Sequence, residues 1–459
     1  MRHLGIVIGA VCAAALQASP AGAFCGFYVS TSGDKLFNEA TEVVLMRDGT
    51  RTVLSMQNDY KGPLSDFAMV VPVPVVLHEK DVKTLPKEVF DHTDALGSPR
   101  LVEYWEQDPC NPYPPEPPRS AMAMEDSAGA GVTHKHSLGV KIEAKFTVGE
   151  YNILILSASD SAGLETWLKL NHYMIPPAAE PLLRPYVESG MKFFVAKVDP
   201  KKVKYVDGRA ALSPLRFHYD SEDFALPIRL GMANSSGKQD LIVNIISPDK
   251  RYEVANYKNV FIPTNFDVKD AVRTRFGEFY AALFDKTIEA NPGAVVTEYA
   301  WTAVPSYHCD PCTNADITSP DLLTLGGDVV GGQIAAGNFV LTRLHARYGA
   351  GDMKDDLRFR AATPVTGGRE ERTADGQLVY GAHPSGASFF QARYSIRHPW
   401  KGPIACAKPQ RRVWGGPTAY AESGQLTIAA EKTAFAPRGK IALPEMVTRD
   451  LPEIGVRKR

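Results

Sequence analysis

The stretch from Thr41 to Leu77, TEVVLMRDGTRTVLSMQNDYKGPLSDFAMVVPVPVVL, limits the possible folds more than any other part of the chain. Val43, Val44 and Leu45 form an apolar run, and Arg47-Asp48-Gly49-Thr50 is a glycine-containing tight turn of the kind hairpins require. Thr52 to Met56 runs back, and a polar loop with Gly62-Pro63 leads into a third apolar run, Phe67 to Leu77. There Pro72 and Pro74 alternate with Val71, Val73 and Val75. Proline has no N–H to offer a ladder, so its side of this strand belongs at a sheet edge or at the strand's end. Three consecutive strands this early predict a β-sheet protein.

The extreme N-terminus reads as a targeting segment. Arg2 and His3 precede an apolar run from Leu4 to about Leu16, and Ala21-Gly22-Ala23 has the small-x-small pattern of a cleavage site. Residues 1–23 are therefore expected to be a signal peptide, and the mature chain an exported soluble protein, periplasmic or extracellular. Phe24 stands before Cys25 where a lipoprotein signal needs a small residue, which argues against a lipid anchor. No later stretch reaches the roughly 20 apolar residues of a spanning helix. With 51 Lys and Arg against 52 Asp and Glu, and no basic stripe interleaved with aromatics, nucleic acid is excluded as the expected partner. An envelope ligand or another protein takes its place.

Cys12 leaves with the signal, so Cys25, Cys110, Cys309, Cys312 and Cys406 are the disulfide candidates. Their odd number leaves one thiol over, and an oxidising compartment makes disulfides the default.

Further along, the pattern predicts a mainly β (α+β) chain: several modules of antiparallel sheet, a helical insertion around residues 161–190 and one long helix. An N-terminal β module covers 24–107. Residues 108–137 form a linker, beginning with the proline-rich Asp108 to Pro118 and continuing through an Ala/Gly/Ser-rich run. A central α+β domain follows over 138–301, with strands at Gly139–Phe146, Tyr151–Ser157, Met191–Val198, Leu215–Tyr219, Ala225–Met232 and Asp240–Ile246. Within it, Val268, Val272, Phe276, Phe279, Leu283 and Ile288 recur at helical spacing and predict a helix over Asp267–Ala290, stopped by Asn291-Pro292-Gly293. Residues 302–459 are expected to be a loop-rich β region.

These residues resemble a bacterial exported family known as domain of unknown function 2330. The likeness is carried by Cys25-Gly26-Phe27-Tyr28, the TEVVLMRDGTRTVLSMQNDY and DFAMVVPVPVV runs and Glu165-Thr166-Trp167-Leu168. Pro185 to Met191 and Phe339 to His345 add to it. The resemblance spans nearly all of the mature chain and implies no particular reaction, cofactor or catalytic residue.

The most suggestive constellation for chemistry is His308-Cys309-Asp310-Pro311-Cys312. Two thiolates and an imidazole at this spacing suit copper or zinc, and a C-x-x-C pair suits a redox dithiol. No second C-x-x-C completes a zinc tetrahedron, and the residues after Cys312 lack the helical pattern a redox pair expects, so a structural disulfide leads. Met122, Met124, His134 and His136 are soft and borderline copper ligands, but they are scattered through a polar linker. Asp352, Asp355 and Asp356 lack the rest of a calcium loop and read as a solvated turn. G-x-S-x-G, H-E-x-x-H and phosphate-loop patterns are absent from the sequence. The leading expectation is a non-catalytic envelope or extracellular binding and scaffolding protein. Alternatives are a metal-binding or thiol-redox protein using His308, Cys309 and Cys312, and a hydrolase whose site is assembled from distant positions.

Overall fold

The computed structural model describes residues 27–30, 37–61, 67–111, 140–173, 175, 179–206, 209–234, 237–303, 317–349, 351–368, 371–374, 377–419, 428–429 and 436–459. The signal segment, most of the linker, Cys25 and the His308–Cys312 motif lie outside them.

The opening hairpin forms as its sequence requires. Strand Phe37–Asp48 pairs antiparallel with Arg51–Lys61, and Gly49 turns the chain at a positive φ of 54°. The third run, Phe67–Val73, does not continue this ladder. It enters a second sheet, between Phe27–Ser30 and Lys192–Val198, with Tyr151–Ala158 and Val140–Val148 beyond. Pro72 lies past the residues that pair with Phe27–Ser30, and Pro74 follows the strand's end, where a missing donor costs nothing.

The larger sheet is built from distant segments. Gln239–Ser247 lies parallel to Phe37–Asp48 on one side and antiparallel to Phe339–Tyr348 on the other, and Val295–Ala303 follows Phe339–Tyr348. Segments 24–107, 138–301 and 302–459 thus all contribute strands to this sheet. Pairing is mostly antiparallel, with parallel contacts here and in a further small sheet, where Arg393–His398 lies beside Arg100–Glu106.

Side-chain alternation sorts the faces. Val43, Leu45, Leu54, Val243, Ile245 and Leu344 point from the large sheet into a core shared with Val71, Ile153, Phe194 and Ala196 of the five-stranded sheet. On the outer face of the five-stranded sheet, helices Ser161–Leu170 and Ala179–Glu188 bury Leu164, Trp167, Leu168, Leu183 and Tyr186. The opposite, outer face of the large sheet is covered by helices Glu88–Gly97 and Phe276–Ala290. The layers therefore run helix, sheet, sheet, helix.

Two expected elements change. The long helix begins at Phe276, not Asp267: Phe266–Asp267 pairs as a strand with Tyr394 and Ser395, and Asp270–Val272 is a 3-10 turn. Val268 and Val272 are buried in the same cluster as the helix, so helical spacing arose without helical backbone. The strand expected over Ala225–Met232 stops at Leu226, before Pro227, and a 3-10 segment follows at Arg229–Asn234.

The C-terminal segment closes the helical side. Leu443, Val447, Leu451, Ile454 and Val456 bury against Phe276–Ala290, and Val447 bridges to Val268. Leu451→Ala is predicted to cost about 2–5 kcal/mol in urea unfolding. Leu170→Ala, at a side chain 61% exposed, should stay within about 0.5 kcal/mol. Equal effects at the two sites would contradict this packing.

Candidate functional site

A connected cluster of buried charge lies on the outer face of the large sheet, under the two helices. Arg343, His345 and Arg347 alternate along Phe339–Tyr348 and so share one face. Asp240 stands opposite Arg347 on the neighbouring strand. On the other side the ladder between Val295–Ala303 and Phe339–Tyr348 shifts register between Thr297 and Tyr299, leaving Glu298 as the extra residue of a bulge. Glu298 is fully buried, and Arg343 and His345 are each only 1% exposed.

These groups form a chain of alternating charge. His345 is held at both ring nitrogens, Nδ1 by Glu298 Oε1 at 2.7 Å and Nε2 by Asp240 Oδ1 at 3.0 Å. Two carboxylate acceptors require both nitrogens to carry protons, which makes the ring an imidazolium. Glu298 also accepts from Arg343 Nε at 2.8 Å and from the Tyr280 hydroxyl at 2.6 Å. Arg343 Nη1 lies 2.8 Å from Asp94 on helix Glu88–Gly97. Asp240 accepts from Arg347 at 2.5 Å and from Arg438 of the C-terminal segment at 2.8 Å. Arg438 also pairs with Asp285 at the more exposed end of the network. Phe284 stacks on the His345 ring at 3.7 Å between centroids, and Arg438 covers the Phe284 ring.

Burial alone would push the Glu298 carboxyl up, but the His345 and Arg343 charges and the hydrogen bonds outweigh it and hold it at about 2. Burial would likewise push the His345 imidazolium down, yet Glu298 and Asp240 together raise it above its ordinary value. Asp240 is lowered because its cationic partners again overcome burial. The Tyr280 hydroxyl is raised far above its usual range, first by burial and then by the adjacent carboxylate, so it stays a donor.

Sequence reasoning passed over this cluster. Arg343-Leu344-His345-Ala346-Arg347 alternates polar and apolar residues as a strand with one face in solvent would, and Asp240 and Glu298 carry no spacing signal. Of the cysteines singled out in the sequence, Cys110 and Cys406 are joined by a disulfide across 296 positions. Cys25, His308, Cys309 and Cys312 lie outside the described residues, as do Met122, Met124, His134 and His136. The expected solvated turn at Asp352, Asp355 and Asp356 is corrected at Asp356. Its carboxylate accepts from the Tyr186 hydroxyl at 2.6 Å, the Ile228 N–H at 2.9 Å and Arg229 at 3.0 Å, tying the helical insertion to the C-terminal half. Among the described residues, no group of three or more His, Cys, Asp or Glu side chains is placed to hold a metal ion. No helix among them is long and apolar enough to cross a membrane.

Stability should follow these ionisations. The His345 contribution is fully present below the ordinary imidazole value of about 6.5 and is lost as pH rises through the raised folded value. The Glu298 contribution is present above its ordinary 4.5 and is lost as pH falls toward about 2. Glu298→Gln, which leaves buried cations without their carboxylate, is predicted to cost about 3–5 kcal/mol at pH 6 and to weaken both limbs of a thermal-melt pH profile. A cost below about 1 kcal/mol would show that the network does not hold the sheet to its helices.

A family model described as an uncharacterized protein conserved in bacteria, DUF2330, matches residues 19–360. No curated protein and no solved structure matches the chain. Glu298, Arg343, His345, Asp240 and Tyr280 fall within the matched residues, whereas Arg438 comes from beyond them.

Proposed function

The chain belongs to the bacterial DUF2330 family, and we propose that it serves as a non-catalytic binding or scaffolding protein of the cell envelope. The observation that carries this reading is the closed state of the charge network. Both His345 nitrogens are engaged, Phe284 lies against the ring, and each carboxylate is matched by cations from neighbouring elements. A general base must present a nitrogen or oxygen to a substrate proton, and this imidazole has none to present. The groups of this network instead cross-link strands, helices and the C-terminal segment. Two features support export: the pattern of residues 1–23, and the Cys110–Cys406 disulfide, which suits an oxidising compartment.

A second reading rests on one sequence observation, the His308-Cys309-x-x-Cys312 spacing, which suits copper, zinc or a redox dithiol. The native mass of the mature protein, purified from an exported preparation, separates the two. The scaffolding reading expects cleavage near Ala23 and a metal-free mass lighter than the reduced chain by about four hydrogens, for two disulfides. Stoichiometric copper or zinc, with Cys309 and Cys312 unoxidised, would overturn it and move the function to that motif. Cys309→Ser then follows: a structural bridge predicts lost stability, a metal site lost metal with the fold kept.

A further inference from the structure

Between Arg397 and Ala421 the chain carries five cations, Arg397, Lys401, Lys408, Arg411 and Arg412, and no carboxylate, although Arg397 is paired with Asp267 and Arg411 with Glu106 from elsewhere in the chain. Most of them lie in the loop 399–412, which leaves strand Arg393–His398 and returns at Trp414–Gly415, both of which pair with Arg100–Glu106. The loop is held at three places. Glu106 clamps its two ends: the carboxylate accepts from Trp400 N–H at 3.0 Å, from Arg412 N–H at 2.7 Å and from the Arg411 guanidinium at 2.7 and 2.8 Å. The disulfide from Cys406 to Cys110 fastens its middle, and Gln410 N–H donates to Pro109 O at 2.7 Å. Arg412 is one of three described non-glycine residues at positive φ, 65°, a conformation its hydrogen bond to Glu106 maintains.

What this framework displays is an apolar tip with cations on both sides. Pro403, Ile404, Ala405 and Ala407 are exposed, Ile404 by 43%, and Lys401 and Lys408 bracket them with Arg412 at the base. A loop already fixed in place loses little entropy on binding. A stable protein interface draws on roughly 20–30 residues a side, more than this loop contains. A small apolar tip beside basic side chains instead suits the headgroup boundary of an anionic bilayer, where the tip enters the acyl edge and Lys408 and Arg412 meet phosphates.

We propose that residues 399–412 form a preorganised docking loop for an anionic phospholipid surface. The inference goes beyond the scaffolding reading and depends on it only for where such a surface would be met.

The test uses the purified mature protein with its disulfide intact, sedimented with phosphatidylcholine vesicles with or without phosphatidylglycerol. The wild type is expected to bind only the anionic vesicles and to release as salt rises. K408E/R412E should lose at least about tenfold in vesicle affinity, and I404S severalfold with its melting temperature unchanged. K408E alone, away from the Glu106 clamp, serves if the double variant fails to fold. Wild type that ignores the anionic vesicles, binds both kinds equally, or is indifferent to the reversed charges overturns the proposal. Binding to a soluble acidic protein through Lys408 and Arg412, without vesicle binding, reassigns the loop to a protein partner. Because the readout uses purified protein, a negative result leaves the scaffolding reading standing.

Discussion

A buried carboxylate has to be answered by cations, and around Glu298 that requirement organises much of the molecule. Its solvation cannot be recovered from apolar neighbours, so Arg343 and His345 must stand beside it, and each of them needs a further anion. Asp94 and Asp240 supply these, and Arg347 and Arg438 then answer Asp240. The chain of charge thereby joins three strands, two helices and the C-terminal segment. A hydrophobic contact tolerates sliding, whereas this network is satisfied in one register only. The bulge at Glu298 is what aims the carboxylate at both cations.

The remaining cross-links have the same long-range character. Asp356 ties Tyr186 and Arg229 together across more than a hundred positions, and Glu103, fully buried, accepts from Arg273 and His398. The disulfide joins the turn that follows strand Arg100–Glu106 to a loop nearly three hundred residues later. Since the large sheet draws its strands from each part of the chain, such links hold together what sheet topology has interleaved. Folding therefore closes large loops before its contacts can form, an entropic cost that short-range hairpins do not meet.

Local pattern carried much of the secondary structure. The Gly49 hairpin, the strands around Tyr151, Phe194 and Val243, and a helical insertion within residues 161–190 stand where alternation and turn chemistry indicated. Asp160, for example, caps its helix through the Gly163 N–H, as an aspartate before a helical run is suited to do. The first half of the expected Asp267–Ala290 helix failed because a neighbouring strand at Tyr394–Ser395 took its backbone bonds, a competitor distant in sequence.

What the sequence alone determined is the class of the protein and its local elements, together with a resemblance to a bacterial family, because periodicity, glycine, proline and capping residues act within a few positions. The tertiary structure alone decided which strands are neighbours, that Arg343, His345 and Arg347 face a core and not water, and that Cys110 meets Cys406. Those outcomes depend on pairings between segments tens to hundreds of residues apart. An arginine on an alternating strand looks the same in sequence whether its partner is solvent or a buried glutamate. Only the fold brings the glutamate to it.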